Sequence, residues 1–157
     1  MAIVAATGHR PDKLGGYGPS AAEKLERVAT HALLSLGASK AISGMALGWD
    51  QALARAAIAL DIPFIAAVPF SGQESRWPEG SRRDYQRLLN AASEVVVVSA
   101  GGYASWKMQR RNEWMVDNCN TLAALWDGST GGTFNCLEYA HSRRRRVENF
   151  WSTFNHA

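Results

Sequence analysis

Thr121-Leu122-Ala123-Ala124-Leu125-Trp126-Asp127-Gly128-Ser129-Thr130-Gly131-Gly132-Thr133 is the stretch on which the fold turns. An apolar run of strand length is followed directly by a glycine-rich turn and then by residues of helical spacing. The order therefore reads strand, glycine turn, helix. Such a turn leaves backbone N–H groups directed outward at a helix N-terminus, where the partial positive charge favours an anion, most often a phosphate.

Working outward, four more apolar runs of strand length recur: Ala2 to Ala6, Lys40 to Ser43, Pro63 to Val68 and Glu94 to Ser99. Between them lie segments of helical spacing. Ser20 to Leu36 puts Leu25, Val28, Ala32 and Leu36 on one face; the others are Trp49 to Leu60, Ser81 to Ala92, Met108 to Asn118, and a fifth from Gly132 to about Arg144. Ser20 with Glu23 three residues later predicts a capping box, and Gly37 a helix stop. Arg145 to Phe150 predicts a final strand at a sheet edge. Strands that alternate with helices and show little polar alternation point to a parallel sheet covered on both faces. The expected fold class is α/β, Rossmann-like and doubly wound, with a mainly parallel sheet of five or six strands in a single domain over residues 1–157.

In such a sheet, ligands bind outside the carboxyl ends of the strands. The loops at those ends are Thr7-Gly8-His9-Arg10, Gly44-Met45-Ala46-Leu47-Gly48-Trp49-Asp50, Pro69-Phe70-Ser71, Ala100-Gly101-Gly102 and the opening stretch. Arg10 suits a phosphate or carboxylate through two parallel hydrogen bonds, and His9 suits general acid or base chemistry. Asp50 opens an alanine-rich helix, where a carboxylate either caps the helix or accepts a ribose hydroxyl; both readings stand. Of Trp49, Trp77, Trp106, Trp114, Trp126 and Trp151, most are expected to pack in the core; Trp49 and Trp126 border the expected cleft, where one exposed ring could stack on a nucleobase.

The 46% hydrophobic and 20% charged residues are ordinary for a globular chain, and no run approaches a membrane span. Met-Ala-Ile-Val-Ala-Ala lacks the basic start of a signal peptide, so a cytoplasmic location is expected, and Cys119 and Cys136 read as small buried hydrophobes. No metal site or cofactor is called for. Much of the +3 net charge comes from Arg143-Arg144-Arg145-Arg146, read as a solvated helix end, with Lys107, Arg110 and Arg111 earlier in the chain. Nucleic-acid binding through these groups is the minor alternative.

Three motifs in order, Thr7-Gly8-His9-Arg10-Pro11, Ser43-Gly44-Met45-Ala46-Leu47-Gly48-Trp49-Asp50 and Asp127-Gly128-Ser129-Thr130-Gly131-Gly132-Thr133, resemble the SLOG superfamily, and most of all its small YpsA-like branch of bacteria and their phages. Arg110-Arg111-Asn112 with Trp114-Met115-Val116-Asp117 resembles that branch's fourth helix. The resemblance implies a Rossmann-like fold binding a nucleotide or nucleotide-derived ligand, such as ADP-ribose, NAD or a cyclic nucleotide. Related branches include the LOG phosphoribohydrolases, with their Gly-Gly-x-Gly-Thr-x-x-Glu motif, and the DNA-processing protein A family, which binds single-stranded DNA. Small relatives frequently form dimers or tetramers.

Three residues beyond Thr133 stands Cys136, where the hydrolases carry their catalytic glutamate. Glu138 lies two positions on, about 200° around the helix, and cannot replace it. The expected function is therefore binding as a sensor or sequestering protein. The alternative is hydrolysis of an N-glycosidic or phosphate bond, with His9, Asp50 or Asp127 as candidate catalytic residues. The expected ligand-binding set is Thr7, Gly8, His9, Arg10, Gly44, Met45, Gly48, Asp50, Pro69, Asp127, Gly128, Gly131, Gly132, Thr133 and Asn135.

Overall fold

The structure, a computed structural model, describes residues 2–157. Small side chains dominate the strands, which lets helices approach both faces of the sheet closely. The strands are β1 (Ala2–Gly8), β2 (Ala38–Ser43), β3 (Phe64–Val68), β4 (Glu94–Val97), β5 (Thr121–Leu125) and β6 (Arg146–Asn149). Between and after them run α1 (Pro19–Ser35), α2 (Trp49–Ala59), α3 (Glu79–Ala91), α4 (Ser105–Asn118), α5 (Gly132–Ser142) and the short α6 (Trp151–Asn155). All described strand pairs are parallel, in the order β4-β3-β2-β1-β5-β6.

Alternation along β1 shows how the layers form. Val4 and Ala6 face a core built with Leu25, Val28 and Leu33 of α1, Trp49 and Leu53 of α2, Tyr85 of α3 and Phe154 of α6. Ala5 faces the other core, with Met115 and Val116 of α4 and Cys136, Leu137 and Ala140 of α5. Burial on both faces explains why the strands read as continuous apolar runs. Cys119 and Cys136 are both buried free thiols, as the sequence predicts.

The chain steps outward from β1 to β4, returns along α4, and resumes with β5 on the other side of β1. The switch point thus lies between β1 and β5. Their ends are level, Gly8 pairing with Leu125, so the two following loops leave the sheet side by side.

One local expectation is corrected, and one holds. α1 begins at Pro19 with Gly18 as its N-cap, and Ser20 makes no capping hydrogen bond, because proline takes the first helical position ahead of it. Leu36 is the C-cap and packs against the core, while Gly37 closes the helix at φ +61°. Two elements escape the sequence pattern: the 3-10 turn Pro11–Lys13 and α6, both too short to show a period. Among the described residues no helix is long and apolar enough to cross a membrane.

Trp49 is fully buried, packed under the end of β1, and its Nε1 donates to Ala123 O at 3.0 Å. A Cβ on Gly8 would stand 2.5 Å from the Trp49 ring. Gly8→Ala should therefore cost roughly 1–3 kcal/mol by overpacking, lowering Tm by about 3–10 °C in a thermal melt.

Candidate functional site

The loops after β1, β2 and β5 meet at the switch point and are fastened to one another through their backbones. His9 N donates to Leu125 O at 3.2 Å, and Trp49 N donates to His9 O at 3.3 Å. Gly48 permits the second contact, since at φ +95° its Cβ position lies 2.7 Å from His9 O. Between the loops opens a cavity of about 360 Å³. Thr7 to Arg10, Asp12 and Lys13 form one wall, Ser129 to Phe134 the opposite wall, and Ala46, Asp50, Met108, Arg111 and Asn112 the remainder.

The second wall is the N-terminus of α5. Its N-cap, Gly131, takes φ +140°, a conformation that L side chains rarely adopt, and no side chain caps the helix. The first-turn N–H groups of Gly132, Thr133 and Phe134 have no intrahelical partner, and these residues line the cavity, with the hydroxyls of Ser129, Thr130 and Thr133 beside them. Lys13 and Arg10 supply positive charge from the facing wall. Together they turn free N–H donors, hydroxyls and positive charge toward the same cavity.

Asp127 holds the walls in place. Its Oδ1 accepts from Ser129 N (2.9 Å) and from the Ser129 hydroxyl, and lies 2.8 Å from His9 Nε2. His9 Nε2 is also 3.0 Å from Asp127 N; one ring nitrogen serves one of these at a time, and donation to the carboxylate, being charge-assisted, is the stronger. Lys13 reaches both Ser129 Oγ (2.8 Å) and Asp127 Oδ2 (3.8 Å). The Ser129 donors, with His9 adding to them, hold the Asp127 carboxyl well below the usual carboxylate range. Such a group is an anchor and a poor proton donor. The His9 ring rests edge-on against Trp151 at 5.9 Å, so α6 braces the site from outside.

The floor is different in kind. Asp50 is 6% exposed and Arg111 5%. Arg111 donates through Nη1 to Gly44 O and Ala67 O, and through Nε to Asn112 Oδ1. Asp50 Oδ2 accepts one long hydrogen bond, 3.4 Å from Ala46 N. Gly44 separates the two charges; a Cβ there would sit 2.6 Å from Arg111 Nη1 and 2.7 Å from Asp50 Oδ2. Burial pushes the Asp50 carboxyl up to about 6, against the pull of Arg111. Asp50 is thus not a helix cap: it lies in the first turn of α2, whose N-cap is Gly48, and its carboxylate lines the cavity.

Cys136 lies under this floor, fully buried beside Thr7 and Arg111, and burial pushes its thiol up to about 12. It is inert as a nucleophile. Glu138 is on the exposed face of α5, away from the cavity.

Of the residues expected at the site, Thr7, Gly8, His9, Arg10, Asp50, Gly131, Gly132 and Thr133 line the cavity. Asp127, Gly44 and Gly48 stand one layer behind and shape it, and Gly128 shapes the turn at φ +95°. Met45 turns its side chain into the core at φ +65°, and Asn135 falls just beyond the lining. Pro69 lies outside because β3 is two strands from β1, on the side away from the switch point. Trp49 is core, and Trp126 backs the α5 wall, packing on Phe134 (6.0 Å) and donating to Ser129 O (2.7 Å), so neither ring faces the cleft. Lys107 and Arg111 leave the basic surface group, for both are buried; Lys107 Nζ binds Ala100 O and Gly102 O, each at 2.6 Å. Within the arginine run, Arg143, Arg144 and Arg146 are exposed, but Arg146 belongs to β6. Arg111 had a sequence signal: it is a cation four residues from Met115, in phase with the apolar face of α4.

The chain belongs to the YpsA (YspA SLOG) family, whose sequence model matches residues 4–151. It is 37% identical over 115 residues to the uncharacterized SPbeta prophage-derived protein YoqJ of Bacillus subtilis, covering 63% of this chain and 67% of that one. The fold resembles DNA processing protein A of Streptococcus pneumoniae (TM-score 0.69, 20% identity, 94% of this chain), of which the chain spans half the length. It also resembles DNA processing protein A of Helicobacter pylori, described with a single-stranded DNA binding mode (TM-score 0.67, 18% identity, 94% of this chain and 64% of that one). The molybdenum cofactor carrier protein of Chlamydomonas reinhardtii follows at TM-score 0.60 and 13% identity, over 94% of this chain and 75% of that one.

Folding raises the Asp50 carboxyl from 3.8 to about 6, so between those pH values the folded chain holds a proton that the unfolded chain releases. Its contribution to stability therefore falls as pH rises through that window and is greatest below it. Measured against Asp50→Asn, wild-type stability should gain on the order of 1–3 kcal/mol as pH is lowered from 7 to about 4, read from denaturant titrations at each pH. Arg111→Met leaves Gly44 O and Ala67 O without this donor and Asp50 without its nearby cation, and should cost about 2–5 kcal/mol by the same measurement.

Proposed function

We propose that this protein binds a nucleotide or nucleotide-derived ligand, of the ADP-ribose, NAD or cyclic-nucleotide type, as a sensor or sequestering protein. One observation carries the reading: a single cavity joins an uncapped helix N-terminus to a buried carboxylate with almost no protein donor. The phosphate sits on the N–H groups of Gly132 to Phe134 and the Thr133 hydroxyl, with Lys13 and Arg10 balancing its charge. Asp50, at the floor, accepts hydrogen bonds from ribose hydroxyls. A buried carboxylate held so sparsely costs stability, and a ligand that donates to it offsets the cost. The cavity volume is at the small end of the range of roughly 300–1,000 Å³ for ligand sites, which suits the nucleoside phosphate portion and leaves larger groups outside. Neighbours of this fold that carry a molybdenum cofactor or bind single-stranded DNA are consistent with a binding role. In this reading the protein is cytoplasmic and acts as a homo-oligomer.

Asp50 also supports a second reading, hydrolysis of an N-glycosidic bond, because a carboxyl near 6 at neutral pH serves as a general acid or base. Nucleic-acid binding is disfavoured by the burial of Lys107 and Arg111.

Isothermal titration calorimetry with AMP, ADP, ADP-ribose, NAD and cyclic AMP should give saturable binding to at least one, weakened tenfold or more by Thr133→Val together with Lys13→Ala. Heats indistinguishable from dilution for all five would sink the proposal. Chromatography of the same mixtures separates the readings: unchanged ligand supports binding, whereas free base, lost in Asp50→Asn, supports hydrolysis.

A further inference from the structure

Each edge of a β-sheet presents unpaired N–H and C=O groups, and proteins protect such edges with charges, bulges or covering elements. The two edges here differ. β6 carries Arg146 and Glu148, paired at 3.1 Å, and Asn149 bonds back to both backbone groups of Trp126 before the chain enters α6. β4 reads Glu94-Val95-Val96-Val97 and continues with Val98. Val95 and Val97 are 46% and 50% exposed, in a fold whose strands are ordinarily covered on both faces. They align with Ala66 and Val68, on the side of α3, yet α3 packs on α2, and α4 crosses β3 and β1. β4 thus leaves its Val95 and Val97 face largely uncovered, while Val96 on the opposite face packs against the core shared with α4 and α5.

The hydrogen-bond phase of β4 determines what can cover it. Val98 N donates inward to Val68 O at 2.8 Å. Alternate residues of a parallel strand turn both backbone groups to the same side, so Val96 also faces β3, while Val95 and Val97 direct theirs outward. Another strand edge meets such a row. A second copy's β6 would set an ion pair against valines, and head-to-tail joining of this kind propagates into filaments. A second copy's β4 is self-complementary.

We propose that the protein dimerises edge to edge through β4, the two strands running antiparallel about a two-fold axis at Val96. In that register Val95 lies opposite Val97 of the partner subunit; both are outward-facing residues, so each such pair exchanges two hydrogen bonds, and valine meets valine on one face. Glu94 falls opposite Val98 of the partner subunit, and the two Glu94 carboxylates do not meet. The strand alone is small against the ~800 Å² per partner of a stable interface. Exposed Tyr103 and Trp106, just beyond the carboxyl end of β4, supply further apolar area.

The register sets the test. On the axis, Val96 meets its own symmetry mate as a non-hydrogen-bonded pair, with Cα atoms about 4.5 Å apart, inside the range of about 4.4–6.8 Å that a disulfide spans. Val96→Cys should therefore form a reducible dimer under mild oxidant, while Ser35→Cys on a distant helix end does not; the native cysteines are buried. Light scattering of the wild type should give twice the 17.1 kDa chain mass, and Val95→Lys with Val97→Lys should return it to one chain with the melting temperature within a few degrees. A monomeric wild type at high concentration, a dimer that survives both lysines, or crosslinking no better than the Ser35→Cys control would each overturn the proposal. None of these readouts depends on ligand binding.

Discussion

The Trp49 indole beneath Gly8 is the contact on which the site's construction depends. Its ring fills the space that a side chain at position 8 would take, its Nε1 binds the β5 backbone at Ala123, and its backbone N–H binds His9 O. One residue of α2 thereby ties together the ends of β1 and β5 and the loop after β2. Because interiors are close-packed, such a wedge transmits any displacement directly to the loops above it.

Above that wedge the two halves of the cavity follow opposite electrostatic logic. Toward the rim, Asp127 is well supplied with donors from Ser129 and His9, and it works as a fixed link between two loops. At the floor, Asp50 and Arg111 are both taken out of water, and Arg111 spends its donors on Gly44 O and Ala67 O, leaving the carboxylate poorly partnered. Such a floor is costly for the free protein, and under the proposed function a ligand with hydroxyl donors offsets that cost. Where the resemblance to the LOG phosphoribohydrolases implies a glutamate on α5, a buried cysteine stands, and the carboxylate at the floor comes from α2.

Much of this was legible in the chain. Alternating strand and helix patterns gave the doubly wound sheet, and glycine-rich strand ends gave three loops of the cavity, because local propensity and turn chemistry are written within a few residues. What local pattern left undecided was of another type. Pro69 sits in a loop chemically as plausible as the others, but strand order carries it away from β1. Trp49 and Trp126 flank the cleft in sequence, yet one turns into the core and the other supports α5 from behind. Ser20 carried a capping signature that Pro19 pre-empted.

What the sequence determined by itself was the six strands and the first five helices, the glycine turn before α5 and the cysteine at position 136, since each depends on spacing along the chain. Tertiary structure alone decided which strand ends became neighbours, that Arg111 lies under the cavity and not on a basic surface, and that Asp50 is left nearly without donors. Those outcomes depend on the crossover of α4 to the far side of β1 and on burial. Both arise from packing between residues distant in sequence, which no local pattern encodes.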